Sequence, residues 1–119
     1  MKIDFIADTN FLIYFHEGNS KVESFVNYRF GISIISEIEL LSFQRITSFE
    51  EIQLKSLLNN CFQIDLNNKI KEQTIQLKKQ NQIKLPDAII AATSIVNKVP
   101  LVTADKGFSK VKGLNLILI

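Results

Sequence analysis

The sequence predicts a three-layer α/β/α domain with a mostly parallel central sheet. Short strand-like runs alternate with helix-like stretches, which is the order of connected βαβ units. The 119 residues are 46% hydrophobic and 22% charged, enough apolar material to form one core. No repeat, low-complexity tract or Pro/Gly/Ser-rich linker divides the chain. We therefore expect a single domain over residues 1–119, with helices on both faces of the sheet.

The first part of the chain predicts two strands, each next to a helix. Residues 3–7 are largely apolar and end at a polar Asp-Thr-Asn segment, which is typical of a short buried strand. Asn10 is suited to cap a helix that begins with the apolar residues 11–15. A helical stretch over residues 21–28 leads to the β-branched run 31–35, which predicts the second strand.

Two capping signatures predict the helices that follow. Ser36 and Glu39 have the spacing of a capping box, in which a serine and a glutamate three residues later satisfy each other's backbone N–H groups. Ser48 and Glu51 repeat this signature. We expect a helix to begin at each serine.

The second half of the chain continues the alternation. Residues 62–66 alternate between apolar and polar side chains like a half-exposed strand, and Asn67 can cap the polar helix after them. Pro86 suits a first helical turn, and residues 88–96 continue it with small, tightly packing side chains. The remaining segments are a strand over residues 99–103, a turn at 105–107 and a last strand over 114–119.

Composition excludes several classes of protein. The 14 Lys and Arg residues exceed the 12 Asp and Glu by only two, too few for nucleic-acid binding by bulk charge. Cys61 is the one cysteine and forms no intrachain disulfide, and Asp4 interrupts the apolar run of a signal peptide. Residues 88–96 fall far short of the roughly 20 that cross a bilayer. We expect a cytoplasmic protein without a membrane span.

Four acidic residues are expected at one edge of the sheet. Asp8 directly follows the first strand, and Asp105 follows the strand that ends at Thr103. Glu39 and Asp87 lie in the first turns of helices that start near the same edge. Because ligands of open α/β sheets bind beyond the carboxyl ends of the strands, these four side chains form the candidate site.

Each of these acids also has a purely structural interpretation. Asp8 could cap the helix after it, and Glu39 could be only the second half of a capping box. Asp87 suits the positive end of a helix, and Asp105 suits a turn. The functional interpretation therefore rests on the four acids jointly.

Four ionised carboxylates in one cleft need a cation or protons. Two unit charges about 4 Å apart repel by about 4 kcal/mol at an effective dielectric near 20. His16 is the one histidine and Cys61 the one cysteine, so the sequence offers no His or Cys cluster for zinc. An all-oxygen ligand set favours Mg²⁺ or Mn²⁺. Metal-assisted hydrolysis of a phosphodiester is the chemistry that such a site suits. The hydroxyls of Thr9 and Thr103 could orient a carboxylate, a water or a phosphate oxygen, or bond only to local backbone.

Four segments carry a resemblance to a known family. They are Asp8-Thr9-Asn10, residues 33–40, residues 85–92 and residues 102–108. In this order they resemble the PIN domain and, more narrowly, the VapC-type toxins of prokaryotic toxin–antitoxin pairs. One departure is that many relatives have a glycine shortly after the Glu-Leu pair, where this chain has Leu41-Ser42-Phe43-Gln44. It bears on substrate preference more than on metal binding.

The resemblance implies an Mg²⁺- or Mn²⁺-dependent endoribonuclease that acts on RNA. It also implies a cognate antitoxin, whose C-terminal segment packs across the toxin groove and inserts a residue into the site, and a homodimer. The residues implied around the metal are Asp8, Glu39, Asp87 and Asp105. The implied supporting residues are Thr9, Asn10 and Thr103.

The rest of the chain, apart from these four acids, has an excess of basic residues. Setting them aside leaves 14 basic against 8 acidic residues. The candidates for RNA phosphate contacts are Lys106, Lys110 and Lys112, which follow Asp105, with Arg29, Arg45 and Lys84 as further candidates. These residues could equally be ordinary solvated side chains. A single-stranded or looped RNA is the expected substrate, because a small cleft must splay out the scissile phosphate.

Phenylalanines could line a groove for an antitoxin helix. They are Phe11, Phe15, Phe25, Phe43 and Phe49, and most are expected in the core because core and groove share the same helical spacing.

Three hypotheses stand at this point. The first is a metal-dependent ribonuclease toxin. The second is a non-catalytic PIN-like module that binds RNA or protein. The third is a phosphoacceptor domain of receiver type, which would share a strand-end Asp, Mg²⁺ and a nearby Lys, although the spacing of the acids fits it poorly.

Overall fold

Five parallel strands form the central sheet in the computed structural model, which describes residues 2–119. The strands are β1 (Phe5–Ala7), β2 (Phe30–Ser33), β3 (Phe62–Ile64), β4 (Leu101–Thr103) and β5 (Leu116–Leu118). Their order across the sheet is β3-β2-β1-β4-β5, and every neighbouring pair is parallel. The predicted α/β/α architecture is confirmed, with each strand somewhat shorter than its predicted segment.

Helices connect the strands and cover both faces of the sheet. The α-helices are α1 (Thr9–Glu17), α2 (Ile34–Leu41), α3 (Ser48–Asn59), α4 (Asn68–Gln80) and α5 (Leu85–Asn97), with 3-10 helices at Ser20–Phe25 and Lys106–Lys110. Asn67 caps α4 as predicted, because its side chain accepts from the Ile70 backbone N–H at 2.9 Å. Pro86 lies in the first turn of α5 as predicted. Among residues 2–119, no helix has the length and apolarity to cross a membrane.

The central strand β1 divides the core into two parts. Ile6 points to the face covered by α4 and α5, where it packs with Ile90 and Leu101. Phe5 and Ala7 point to the opposite face, which α1, α2 and α3 cover. This alternation follows from the two-residue period of a strand, and both faces of β1 are buried because helices lie on each side.

The phenylalanines divide between core and surface. Phe11 is fully buried, and Phe15 and Phe25 pack beside it in the cluster around Phe5. Phe43 and Phe49 are exposed, with 60% and 69% of their surface accessible. The structure thus places three of the five candidate groove residues in the core.

Two predicted helix starts are wrong around the first two strands. Asp8, not Asn10, caps α1, and its carboxylate accepts from the Asn10 backbone N–H at 2.6 Å. Ser33, not Ser36, caps α2, and its hydroxyl accepts from the Ile35 N–H at 3.1 Å. In both cases the polar residue at the end of the strand already has the extended backbone that a cap needs. The helix therefore begins earlier than predicted.

Further corrections concern α3 and two shorter segments. The capping box of α3 is Thr47 with Glu50, one residue before the predicted Ser48 and Glu51. The predicted helix over 21–28 is a 3-10 helix at Ser20–Phe25, in which only Val22 is buried, too little apolar surface to support a longer α-helix. The predicted turn at 105–107 begins the 3-10 helix Lys106–Lys110.

Candidate active site

All four predicted acids line one open cavity of about 790 Å³ at the carboxyl edge of the sheet. Chain order reverses here, since the chain proceeds from β1 to β2 and β3 on one side and then to β4 and β5 on the other. Such a switch point leaves a crevice between the outgoing connections, which is where α/β proteins bind ligands. The lining residues are Asp8, Thr9, Asn10, Ile13, Glu39, Ser42, Phe43, Gln44, Arg45, Asp87, Ile90 and Asp105.

Each acid reaches the cavity from a different element. Asp8 lies between β1 and α1, and Asp105 lies after β4 as the cap of a 3-10 helix, where its carboxylate accepts from the Gly107 N–H at 2.8 Å. Asp87 lies in the first turn of α5, as predicted. Glu39 lies in the second turn of α2 rather than the first, because α2 begins at Ile34. The structural roles of Asp8 and Asp105 as caps therefore coexist with their place in the cavity.

Thr103 links the first and last acids. Its buried hydroxyl donates to Asp8 Oδ2 at 2.6 Å and accepts from the Asp105 backbone N–H at 3.0 Å. The other Asp8 oxygen accepts from the Asn10 backbone N–H. Asp8 is 5% exposed and is therefore held by two hydrogen bonds in one orientation. The predicted supporting residue Thr103 orients a carboxylate in this structure.

Thr9 performs the corresponding task for Glu39. Its hydroxyl donates to Glu39 Oε1 at 2.7 Å, and the Ser36 hydroxyl lies 3.2 Å from the same Thr9 oxygen. This bond fixes an exposed glutamate against the start of α1. Sequence reasoning missed Ser36 as part of this contact, because the capping-box spacing with Glu39 explained it otherwise.

Asn10 connects the segments that follow β1 and β4 and does not cap a helix. Its side-chain oxygen accepts from the Ala104 backbone N–H at 3.0 Å, and Thr103 Oγ1 lies 3.4 Å from it. The bond joins the first turn of α1 to the segment after β4. The signal for this role was present in the sequence as three consecutive polar residues directly after a buried strand.

Burial and mutual repulsion shift the acids toward their neutral forms. Burial raises the pKa of Asp8 to about 6, opposed by the hydrogen bonds from Thr103 and the Asn10 backbone and assisted by the charges of Asp105 and Asp87. The pKa of Asp87 is also raised, first by burial and then by the charges of Asp105 and Glu39. A cavity that disfavours its own negative charges favours a bound cation.

The donor set fits a hard cation that keeps much of its water. Within residues 2–119, no three His, Cys, Asp or Glu side chains are grouped closely enough to hold a metal ion directly. The carboxylates of the cavity are therefore spaced around it and do not form a closed cage. Mg²⁺ is commonly held by one or two carboxylates and retains several waters, so this arrangement suits it. Cys61 lies elsewhere, partly buried against the core, where burial raises the pKa of its thiol to about 11.

Cations border the acids on two sides. Arg45 lines the main cavity, while Lys84 and Lys110 line an adjoining cavity of about 320 Å³ that shares Asp87 and Asp105 with it. Lys106 and Lys112 are exposed but line neither cavity. Arg29 precedes β2 and bonds through its backbone N–H to Asp4, so it lies at the opposite, amino edge of the sheet. The structure therefore places Arg29 away from the acids.

Comparison with known structures agrees with the fold described above. A chain of a toxin–antitoxin complex from Klebsiella pneumoniae is 25% identical, with a TM-score of 0.81 and 96% of each chain covered. The structure of VapBC2 from Rickettsia felis bound to a promoter DNA fragment matches at 22% identity and a TM-score of 0.84, covering 98% of this chain and 99% of that one. DNA-bound VapBC from Salmonella typhimurium matches at 18% identity and a TM-score of 0.79, covering 98% of both.

Sequence comparison gives a family but no individual relative. A search of curated protein sequences returns no significant match. The model of the PIN domain matches residues 5–114, a range that contains all four acids and the strands β1 to β4. The chain therefore belongs to the PIN domain family.

Proposed function

We propose that the protein is a metal-dependent endoribonuclease, the toxin of a VapBC-type toxin–antitoxin pair. The observation that carries this proposal is the convergence of Asp8, Glu39, Asp87 and Asp105 on one cavity at the switch point of the sheet. Membership of the PIN domain family and the likeness to toxin–antitoxin complexes support it. They also remove the support for a receiver-type phosphoacceptor domain.

The resident cofactor in this proposal is Mg²⁺ or Mn²⁺, held by Asp8, Glu39, Asp87 and Asp105 directly or through water. When bound, such an ion polarises a phosphoryl group, supplies hydroxide from water and stabilises the leaving oxygen. No covalent protein nucleophile is required.

The chain's own residues orient and shape this site. The Thr103 hydroxyl holds Asp8 through its bond to Oδ2, and the Thr9 hydroxyl holds Glu39. Ile13 and Ile90 supply apolar wall beside the acids. Preorganised carboxylates need little rearrangement during the reaction.

The proposed partners follow from the same assignment. The substrate is RNA, and a cognate antitoxin restrains the activity. We also propose a homodimer and a cytoplasmic location, where RNA substrates are found. The contacts that would form these assemblies are separate from the cavity chemistry and need their own tests.

Cleavage of a mixed RNA pool by the purified protein tests the nuclease. We expect fragments in Mg²⁺ or Mn²⁺ and none in EDTA. Asp8→Asn and Asp87→Asn should abolish cleavage, whereas Glu72→Gln, which removes an exposed acid on α4, should cleave like the wild type. Cleavage that persists in EDTA or in Asp8→Asn would contradict the proposal.

A non-catalytic RNA- or protein-binding module is the second candidate. This candidate needs no bound metal, so the open spacing of the carboxylates among residues 2–119 is compatible with it as well. This candidate predicts RNA binding that is insensitive to Mg²⁺ and EDTA and yields no cleavage products. The same RNA pool, analysed for binding as well as fragments, distinguishes the two.

A further inference from the structure

The loop between α2 and α3 places an exposed aromatic ring at the rim of the acidic cavity. Phe43 is 60% exposed and is the only aromatic among the described residues that line this cavity. The loop is held in place, since the Ile46 N–H donates to Phe43 O at 3.1 Å and the Thr47–Glu50 capping box fixes its far end. An exposed ring beside the site presents a face on which a base can stack.

Positive charge lies on both sides of the carboxylates. Arg45, two residues after Phe43, lines the same cavity. Lys84 and Lys110 line the adjoining cavity, which shares Asp87 and Asp105. Because both lysines lower the pKa of Asp87 through their charge, they lie close enough to influence the acids. The acids thus share one cavity with Phe43 and Arg45 and an adjoining cavity with Lys84 and Lys110.

This arrangement matches a polyanion that crosses the acids. The carboxylates repel phosphates, so phosphates on either side of the reacting one need cations at those places. An exposed ring stacks only on a base that is not already paired and stacked, which selects single-stranded RNA.

We propose that a single RNA strand crosses the site with one base stacked on Phe43, a flanking phosphate at Arg45, and phosphates on the other side at Lys84 and Lys110. This strand path rests on the proposed nuclease function and specifies its substrate as unpaired RNA.

Fluorescence anisotropy with a short labelled single-stranded RNA of mixed sequence tests the path. The Asp8→Asn background keeps the probe from being consumed in Mg²⁺. Phe43→Ala should weaken binding about 5- to 150-fold, the range produced by loss of one base–aromatic stack, and Phe43→Trp should retain it. Phe49→Ala is the matched control, because Phe49 is 69% exposed but lines neither cavity.

Salt dependence separates stacking from phosphate contact. Each of Lys84→Ala, Lys110→Ala and Arg45→Ala should lower the slope of log Kd against log salt by about 0.7, the value for one phosphate of a single strand. Phe43→Ala should leave that slope unchanged. Lys69→Ala is the control, since Lys69 lies beside Val96 at the far end of α5 from Asp87.

Two outcomes would overturn the path. One is an unchanged Kd for Phe43→Ala, which would remove the ring from the path of the RNA. The other is equal losses for the cavity variants and their controls. Both differ from failure of the nuclease itself, which would appear as absence of metal-dependent fragments from the wild-type protein whatever the binding data show.

Discussion

Asp8 combines a structural and a chemical role in one buried carboxyl group. It caps α1, accepts a hydrogen bond from Thr103 and faces the cavity shared with the other acids. Burial raises its pKa to about 6 against an ordinary value of 3.8. The folded protein therefore binds a proton at this group more tightly than the unfolded chain does.

The first prediction concerns the pH dependence of stability. Because the folded-state pKa of Asp8 is raised, its contribution to stability is fully present below about pH 4 and is lost as pH rises through about 6. The loss by pH 7 is about 3 kcal/mol, from 1.36 kcal/mol per pKa unit. In thermal unfolding without divalent metal, Asp8→Asn should therefore unfold at a higher temperature than the wild type at pH 7. The two should converge near pH 4, and equal melting temperatures at pH 7 would contradict this assignment.

The second prediction concerns the Thr103 hydroxyl. Thr103→Val keeps the shape of the side chain but removes the donor to Asp8 and the acceptor for the Asp105 N–H. We expect a loss of about 1–3 kcal/mol in the free energy of unfolding. If the proposed cleavage occurs, kcat should fall more than KM changes, and Thr103→Ser should restore it.

The control for Thr103 is another buried threonine. Thr93 is equally buried and donates only to the Ile89 carbonyl within α5. Thr93→Val should lower stability without lowering kcat. If both valine variants gave the same kinetic profile, Thr103 would have no positioning role.

Local helix starts determine where the acids lie. Because Asp8 caps α1 and α2 begins at Ile34, Glu39 falls one turn further along its helix than predicted, within reach of Thr9. Capping residues could be recognised from the sequence, but neighbouring candidates such as Thr47 and Ser48 compete. The choice depends on which residue has an extended backbone when the strand or loop ends, and that is set by packing across the whole sheet.

The third prediction tests the capping box of α3. Thr47→Ala should lower the free energy of unfolding by about 1 kcal/mol, because the Glu50 N–H loses its acceptor. Ser48→Ala should change it by less, since Ser48 lies inside the helix and is exposed. Chemical denaturation of the two variants beside the wild type measures the difference. A larger effect of Ser48→Ala would restore the start predicted from the sequence.

Across the molecule, the sequence was sufficient to predict the βαβ order and the convergence of the four acids. Strand ends such as Ala7 and Thr103 are marked by a change from apolar to polar residues, and parallel strands bring those ends to one edge. The sequence named Arg29 and Arg45 alike as candidate phosphate contacts, and it was insufficient to predict that only Arg45 reaches the cavity. It was also insufficient to separate Phe43 at the cavity from the phenylalanines of the core. Those positions depend on the path of loops, for which no periodic pattern exists.

The fourth prediction tests the proposed activity in cells. Induced expression of the wild-type chain without an antitoxin should arrest bacterial growth, because uncontrolled cleavage of RNA halts protein synthesis. Asp87→Asn should relieve the arrest, since it removes one cavity carboxylate from a half-buried position and leaves both core clusters intact. Glu72→Gln should arrest growth like the wild type.

Comparable amounts of folded protein in all three strains, measured by immunoblot and thermal unfolding of purified samples, make the growth comparison valid. Arrest by Asp87→Asn at wild-type strength would separate toxicity from the carboxylates and favour a binding module. Relief in Asp87→Asn together with loss of RNA fragments would tie the phenotype to the chemistry of the cavity. The switch point of the sheet would then be the site of the reaction, because the strands that form the core end there and position the acids.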